Sequence, residues 1–346
     1  MSNACFTALT MVRGESDIIG SSLEHHARLG FDRLIVISHL EHAFIRECVD
    51  ELRQRFDECE IDLIELEYDG NFSQKKAFYV NRALTLFLDP KQENHVYCFD
   101  ADEFLFLGPH QDIKGFYQAF TDSLPASSDP SVASRCFLLP WLNLVPRTQA
   151  FVPRDLSAQF LEAEYFCVDR REQSRTKVLF QKHAGTRVHM GYHFSFDSPK
   201  DVPMTMTPAA KQFVEKTGCC VYHVPLRSFS QFSDRLAVYR RSATQTEKYN
   251  TLIALSNGRE EDFLQALFMA CTAAQPLFST LEEAAGVFGD AITDKKLLAI
   301  TRFIDRPRVD VGRVLATATA RLAASEAVTA REPATRDVAN KAVTSE

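Results

Sequence analysis

Three carboxylates fall within four residues, at Asp100, Asp102 and Glu103, and the chain on either side of them is apolar. His95-Val96-Tyr97-Cys98-Phe99 precedes them, and Phe104-Leu105-Phe106-Leu107 follows. Both runs have the length of a buried strand, so the acids stand where one strand ends or bends. At the carboxyl end of a parallel strand, such a position faces the crevice in which α/β proteins bind ligands. Asp100 and Asp102, two residues apart, can offer carboxylate oxygens to one hard divalent cation, Mg²⁺ or Mn²⁺. An ion there would offset the charge of a bound diphosphate and of a diphosphate leaving group. The other reading is an acidic turn between two strands. Enclosure by Phe, Tyr and Leu argues against a merely solvated turn, because buried charge is costly unless paired or metal-bound.

The elements around this stretch alternate. Ala4 to Val12 reads as a strand, Arg13 to Asp17 as a loop and Ile18 to Gly30 as a helix. A strand over Asp32 to Ser38 and an amphipathic helix over Ala43 to Phe56 follow. Ile61 to Tyr68 is a third strand, and Gln74 to Leu88 is a helix with Ser73 expected as its N-cap and Pro90 beyond its end. Strand–helix alternation of this kind predicts a parallel sheet. Beyond the acids, Gln111 to Leu124 reads as a helix, Pro125 to Ser131 as a loop, and Cys136 to Val145 as a strand carrying the single tryptophan, Trp141. Residues 151–175 are mixed and charged, an insertion expected to be flexible or to face an acceptor. Helical spacing marks Phe229 to Tyr239, Glu260 to Ala273 and Asp294 to Thr301, and from Ala316 the chain is rich in Ala, Thr and Ser. The expected organisation is a catalytic domain over 1–228, a helical extension over 229–315 and a disordered tail over 316–346.

Composition narrows the partners. A chain of 346 residues, 45% apolar, can bury one large core or two modest ones. The net charge of −7, with no basic cluster beside an aromatic platform, speaks against nucleic acid. Nine cysteines without a C-x-x-C pair fit reduced thiols better than a disulfide framework. No stretch reaches about 18 apolar residues, and the first twelve residues lack a signal-like pattern. A cytoplasmic protein without a membrane span is expected, with peripheral membrane contact left open.

Asp100-Ala101-Asp102-Glu103-Phe104-Leu105 resembles the D-A-D-E-F-L signature of family-2-like glycosyltransferases of the GT-A fold, in which the D-x-D element holds a metal and the nucleotide-sugar diphosphate. Further landmarks occur in the family's order. Met11-Val12-Arg13-Gly14-Glu15-Ser16-Asp17-Ile18-Ile19 is similar to its V-K/R-N-E-x-D-I-I turn, with Gly14 in place of Asn. Leu23-Glu24-His25-His26 and Leu29-Gly30-Phe31-Asp32 are similar to W-L-x-H-H and L-G-V-D. Gln74, Lys75 and Asn81 match a Q-K and N-R-A pair, and Lys177 to Phe180 followed by His189 to His193 is similar to K-x-I…G-x-H. His223 to Phe232 closely follows H-Y-x-x-R-S-x-E-Q-F. One landmark departs: Ser38-His39-Leu40-Glu41-His42-Ala43 stands where the family has D-N-x-S-x-D. The Asp that would read the base edge is absent, leaving His39 or Glu41 as polar substitutes.

The resemblance covers about residues 4–235. It implies an α/β, GT-A-type fold with a mixed, mostly parallel sheet flanked by helices and a helical C-terminal part. It also implies a metal-dependent transferase that moves a sugar from a nucleotide-diphosphate donor to a hydroxyl of a glycan or other acceptor, with inversion. Surface polysaccharide or glycoconjugate synthesis is one setting for such an enzyme. On that reading Asp100, Asp102 and His223 hold Mn²⁺ or Mg²⁺, imidazole being acceptable to Mn²⁺ beside carboxylates. Val12, Arg13, Glu15, Lys75, Asp100, Ala101, Asp102 and Arg227 lie on the donor side, with Lys76 as the alternative to Lys75 near the diphosphate and Arg227 reaching a phosphate with its fork. Trp141 and Glu103 lie on the acceptor side. The base is unassigned, with Glu162, Glu164 and Asp262 as candidates.

Two other functions stay open. A metal-dependent nucleotidyltransferase would need a basic Gly-rich loop after the first strand, where Arg13-Gly14-Glu15 is short and acidic. A nucleotide-sugar- or glycan-binding module that has lost catalysis fits the altered segment at Ser38 to Ala43.

Overall fold

A computed structural model of the chain describes residues 4–40, 42–67, 72–146, 166–169, 175–189, 191–197, 202–225, 227–241 and 250. The chain divides into two compact units, Met1–Pro146 with Ala150–Arg227, and Arg147–Gln149 with Ser228–Glu346.

The first unit begins with the alternation read from the sequence. β1 (Ala4–Val12), α1 (Ile19–Arg28), β2 (Arg33–His39), α2 (His42–Arg55), β3 (Glu60–Leu66), α3 (Phe72–Phe87) and β4 (Glu93–Phe99) follow one another. α3 starts one residue before Ser73, so Ser73 lies in its first turn rather than capping it. Then come β5 (Glu103–Phe106), α4 (Ile113–Asp122), the short α5 (Pro130–Ala133), β6 (Cys136–Pro146), β7 (Phe166–Asp169) and β8 (Thr176–Lys182). β9 (Arg187–Val188), β10 (Ser195–Asp197) and β11 (Val202–Pro203) form a small antiparallel sheet. α6 (Pro208–Thr217) and β12 (Cys220–His223) complete the unit. α4 and α6 carry orthodox caps: Asp112 accepts the Gly115 N–H at 2.6 Å, and Thr207 accepts that of Ala210 at 3.2 Å, with Pro208 in the first turn and Gly218 left-handed at the end.

The main sheet has nine strands in the order β3-β2-β1-β4-β8-β6-β12-β5, with β7 on β6. β3, β2, β1 and β4 are mutually parallel, as are β6 and β12; β8, β5 and β7 run against their neighbours. Six strands therefore point one way, which is the mixed, mostly parallel sheet expected. Period-two alternation buries both faces. Phe6, Ala8, Leu34, Val36, Tyr97 and Phe99 pack on one side with α1, α2 and α4, while Leu9, Met11, Ile35, Ile37, Val96 and Cys98 pack on the other with α3.

Two features of this order place the site. From β1 the chain builds outward through β2 to β3, then crosses back so that β4 lands on β1's other side. The carboxyl ends of β1 and β4 thus flank a switch point, with Thr10 opposite Phe99. The second is curvature. Only Asp100-Ala101-Asp102 separate β4 from β5, in a turn closed by the Glu103 N–H to Asp100 carbonyl bond at 2.9 Å, yet β8, β6 and β12 lie between those strands in the sheet. A turn of this kind holds its ends within about 7 Å, whereas four strand spacings on a flat sheet span about 19 Å. The sheet must curl, and it curls around what the turn carries.

In the second unit, α7 (Phe229–Arg241) is described, and Ser228 Oγ accepts the Gln231 N–H at 3.1 Å as its N-cap. The helices expected over 260–273 and 294–301 and the tail from 316 lie outside the described residues. No helix among the described residues is long and apolar enough to cross a membrane.

Candidate active site

The site is built on the 100–103 turn at the switch point. Glu103, fully buried, takes three donors: the Asp100 N–H on Oε2 at 3.0 Å, and on Oε1 the Trp141 Nε1–H at 2.8 Å and the Lys177 ammonium at 2.7 Å. Lys177, at 1% exposure, donates also to Asp100 Oδ2 at 3.0 Å and to the Gly191 carbonyl at 2.7 Å. Lys76 reaches the other Asp100 oxygen, Oδ1. Both ammoniums lie against the ring of buried Tyr192, at 4.6 Å for Lys76 and 5.3 Å for Lys177 from its centroid. Tyr192 has φ +59° directly after Gly191 at φ +86°, so two successive left-handed residues turn the Gly191 carbonyl toward Lys177. For a tyrosine that conformation is strained, and strain of this kind gathers at functional sites.

The turn's other half faces β12. Asp102 Oδ2 stands 3.2 Å from His223 Nε2 and 3.8 Å from Arg227 NH1, and the Asp102 carbonyl accepts the Val224 N–H at 2.8 Å. The Trp141 ring lies against His223, centroids 4.3 Å apart and planes 24° from parallel. Register explains this meeting: β12 is parallel to β6, with Val221 opposite Trp141, and antiparallel to β5, with His223 opposite Glu103. Arg227, wholly buried, forks onto Asp17 at 2.6 and 2.9 Å, donates to Glu15 at 2.5 Å and to the Val224 carbonyl at 3.0 Å. It ties the loop after β1 to the loop after β12.

Electrostatics follow from these pairings. Burial pushes the Asp100 carboxyl up, but Lys177 and Lys76 outweigh it and hold it well below the usual carboxylate range. Burial acts on Asp102 in the same sense, and His223 and Arg227 bring it down to about 2. For Glu103 burial wins and the carboxyl rises to about 7, while the three converging donors suit its ionised form. Burial lowers the Lys177 and Arg227 pKa values, but Asp100 and Glu103 in the one case and Glu15 and Asp17 in the other raise both above their ordinary values.

Several expected site residues are placed otherwise than the sequence suggested. Lys75 is exposed on α3, beside the Phe78 ring, and its neighbour Lys76 reaches the acids instead. Arg227 is in the core, so its guanidinium clamps carboxylates. Trp141 is buried at 4% exposure and Glu103 at 0%, which makes them supports beneath the turn rather than an open acceptor surface. Val12 and Ala101 are buried as well, and Arg13 is exposed after β1. Gly14 has φ +71°, a left-handed position that Asn and Gly share, so replacing the family's Asn keeps the backbone. In the altered loop after β2, Leu40 takes φ +70°, His39 is buried, and His42 Nδ1 bonds Ser38 Oγ at 3.0 Å; Glu41 lies outside the described residues. So do Glu162, Glu164 and Asp262.

Lys177, Asp17 and Tyr192 stand in family-like segments of the sequence without an assigned role. Lys177 carried a usable signal: a lone lysine opening the apolar run Val178-Leu179-Phe180 must find acid when the strand is buried. A cavity of about 450 Å³ lies at the opposite, amino end of the sheet, lined by residues such as Asp32, Arg33, Glu60 and Asn94, and holds none of these groups.

Among the described residues no group of three His, Cys, Asp or Glu forms a metal cluster. Asp102 Oδ2 and His223 Nε2 stand 3.2 Å apart as a hydrogen-bonded pair, a separation that two adjacent ligands with bonds near 2.1 Å would also have. Mg²⁺-type ions are commonly held by one or two carboxylates and complete their shell with phosphates and water, so Asp102 meets that minimum and His223 adds one nitrogen beside it. Asp100 has an ammonium on each oxygen.

No protein-family model matches the chain, and no curated protein matches it. Solved structures do. The mannosyltransferase PcManGT from Pyrobaculum calidifontis, in complex with GDP-Man and Mn²⁺, is 12% identical over 93% of this chain and 75% of its own, with a TM-score of 0.30. Mouse xyloside xylosyltransferase 1, in its apo form, is 10% identical over 51% of this chain and 67% of its own, with a TM-score of 0.26. HddC from Yersinia pseudotuberculosis, complexed with GMP-PN, is 12% identical over 42% of this chain and 61% of its own, with a TM-score of 0.25. At TM-scores this low the likenesses carry no weight for the chemistry, which has to come from the side chains.

Proposed function

We propose that the chain is a metal-dependent glycosyltransferase acting on a nucleotide-sugar donor at the switch point between β1 and β4. The observation that carries this reading is the Asp102–His223 pair, 3.2 Å apart on the tips of two strands of one curled sheet. Around it Glu15, Asp17, Asp100, Asp102 and Glu103 face Lys76, Lys177 and Arg227, an excess of acid that a divalent cation balances.

Asp102 and His223 would hold Mn²⁺ or Mg²⁺. When bound, such an ion supplies charge neutralisation to a donor diphosphate and its leaving group. The protein's own part is orientation. Arg227 fixes the 13–17 loop, where Arg13 is exposed on the donor side, and Glu103 with Trp141 sets the plane of His223. In the reaction an acceptor oxygen bonds to the anomeric carbon as that carbon's bond to the diphosphate oxygen breaks. The electron pair leaves with the nucleoside diphosphate, and the hydroxyl proton passes to a carboxylate, for which Glu162, Glu164 and Asp262 are the candidates. Inversion at the anomeric carbon accords with a single displacement.

Thermal denaturation in the presence of UDP, GDP, CDP and their common sugar conjugates, each with and without Mn²⁺, tests the reading, because ligands of the native state raise its melting temperature. A Mn²⁺-dependent rise with one nucleotide class, and release of that diphosphate on adding sugar acceptors, supports it. Binding without any release points to a module that has lost catalysis. No response to any nucleotide overturns it.

A further inference from the structure

Lys177 is buried at 1% exposure and its ammonium has three acceptors: Asp100 Oδ2 at 3.0 Å, Glu103 Oε1 at 2.7 Å and the Gly191 carbonyl at 2.7 Å. An ammonium has three N–H groups, so every donor is used within the protein. Its bonds take up one oxygen each of two carboxylates that flank Asp102 in sequence. Glu103's remaining contacts, the Asp100 N–H and the Trp141 indole, also draw it inward. Lys76 holds the second oxygen of Asp100. The turn carries three carboxylates, but two of them already serve cations belonging to the protein.

We infer that Lys177 is a built-in counter-ion that withdraws Asp100 and Glu103 from the metal's ligand set, so that a divalent ion binds weakly alone and firmly only together with a donor diphosphate. This rests on the function proposed above and adds to it a rule for assembly of that site. With only Asp102 and His223 from the protein, most of the ion's shell is left to phosphate oxygens and water. The ion and the donor are then coupled ligands, each raising the other's affinity by the same factor. Lys177 is a positioning residue on this account, because it acts through Asp100 and Glu103.

Calorimetric titration of Mn²⁺ into the full chain, alone and with UDP, GDP or CDP at saturation, tests the inference. For the native protein, Mn²⁺ affinity is expected to rise at least tenfold with the diphosphate that binds. Lys177→Met frees Asp100 Oδ2 and removes one of the two donors on Glu103 Oε1, and is expected to bind Mn²⁺ alone at least tenfold more tightly than the native chain. Lys177→Arg, which keeps the charge and the donors, is expected to stay close to native. Native protein that binds Mn²⁺ equally well with and without diphosphate overturns the inference while leaving the glycosyltransferase reading in place. So does a folded Lys177→Met variant with unchanged Mn²⁺ affinity, and the native titration decides alone if that variant does not fold. Absence of any nucleotide binding, by contrast, removes the proposed function and the inference with it.

Discussion

The indole of Trp141 lies flat against the imidazole of His223, with centroids 4.3 Å apart, while its Nε1–H points the other way into buried Glu103 at 2.8 Å. One side chain thus links the two strands that carry the site. Trp141→Phe keeps a ring against His223 but leaves the Glu103 carboxylate one donor short. The expected loss is about 1–3 kcal/mol, the cost of an unsatisfied buried acceptor, read from urea unfolding. Trp141→Leu, which loses the stack as well, should cost more. If the Phe variant unfolds at the native urea concentration, the indole–carboxylate bond is dispensable.

Acid should weaken the metal-free protein through Asp102. Its folded pKa, about 2, lies below the ordinary 3.8, so the native state binds the proton less readily than the unfolded chain. The stability this brings is complete above the unfolded value and is lost as pH falls from about 4 toward 2; a shift of this size corresponds to on the order of 2 kcal/mol. Asp100, also held low, adds in the same sense. In Asp102→Asn the slope of unfolding free energy against pH in that window should flatten. An unaltered slope places the acid sensitivity elsewhere.

Arg227→Lys should behave as a severe substitution despite conserving charge. A single ammonium cannot reproduce the fork onto Asp17 together with the bonds to Glu15 and the Val224 carbonyl. A destabilisation of about 3 kcal/mol is expected, toward the range for breaking a buried pair, and it should show in chemical denaturation. A near-native value would mean that the loops after β1 and β12 are held by other contacts.

Gly108 and Gly218 both have positive φ, at +63° and +69°, but differ in surroundings. A Cβ on Gly108 would lie 2.2 Å from the Thr217 carbonyl oxygen, whereas on Gly218 it would meet nothing within 4 Å. Gly218→Ala should therefore cost only the left-handed strain, about 1–2 kcal/mol. Gly108→Ala adds a backbone clash and should cost clearly more, or prevent folding. Equal melting temperatures for the two variants would remove the clash from the account.

The strand–helix alternation through β4 was legible because each element carries its own period, and the 100–103 turn because acids stood between apolar runs. His223 was legible as a strand end. What pairs with what was less so. Lys75 and Lys76 are adjacent on α3, and only the helix phase against the sheet decides that Lys76 enters the site. Arg227 reads from sequence as a phosphate ligand, and only Glu15 and Asp17 facing it in the fold make it a clamp. His25 and His26 stood out as a doublet, yet they serve the fold. His25 Nε2 donates to the Leu105 carbonyl at 2.8 Å, and His26 stacks on Phe99 at 3.8 Å. Long-range partnerships of this kind have no local sequence signature.

The curl that brings β5 back to the 100–103 turn has a kinetic meaning. The site's defining bonds join residues far apart in the chain: 38 residues for Glu103 and Trp141, 77 for Asp100 and Lys177, and 210 for Asp17 and Arg227. Closing such loops is entropically slow, and β12, which carries His223, comes last in the sheet. During synthesis the acidic turn is made early, after Lys76 but before Lys177 and Arg227, so ligand-binding competence marks completion of the fold. A nascent chain that stops before β12 has its first strands but not the site.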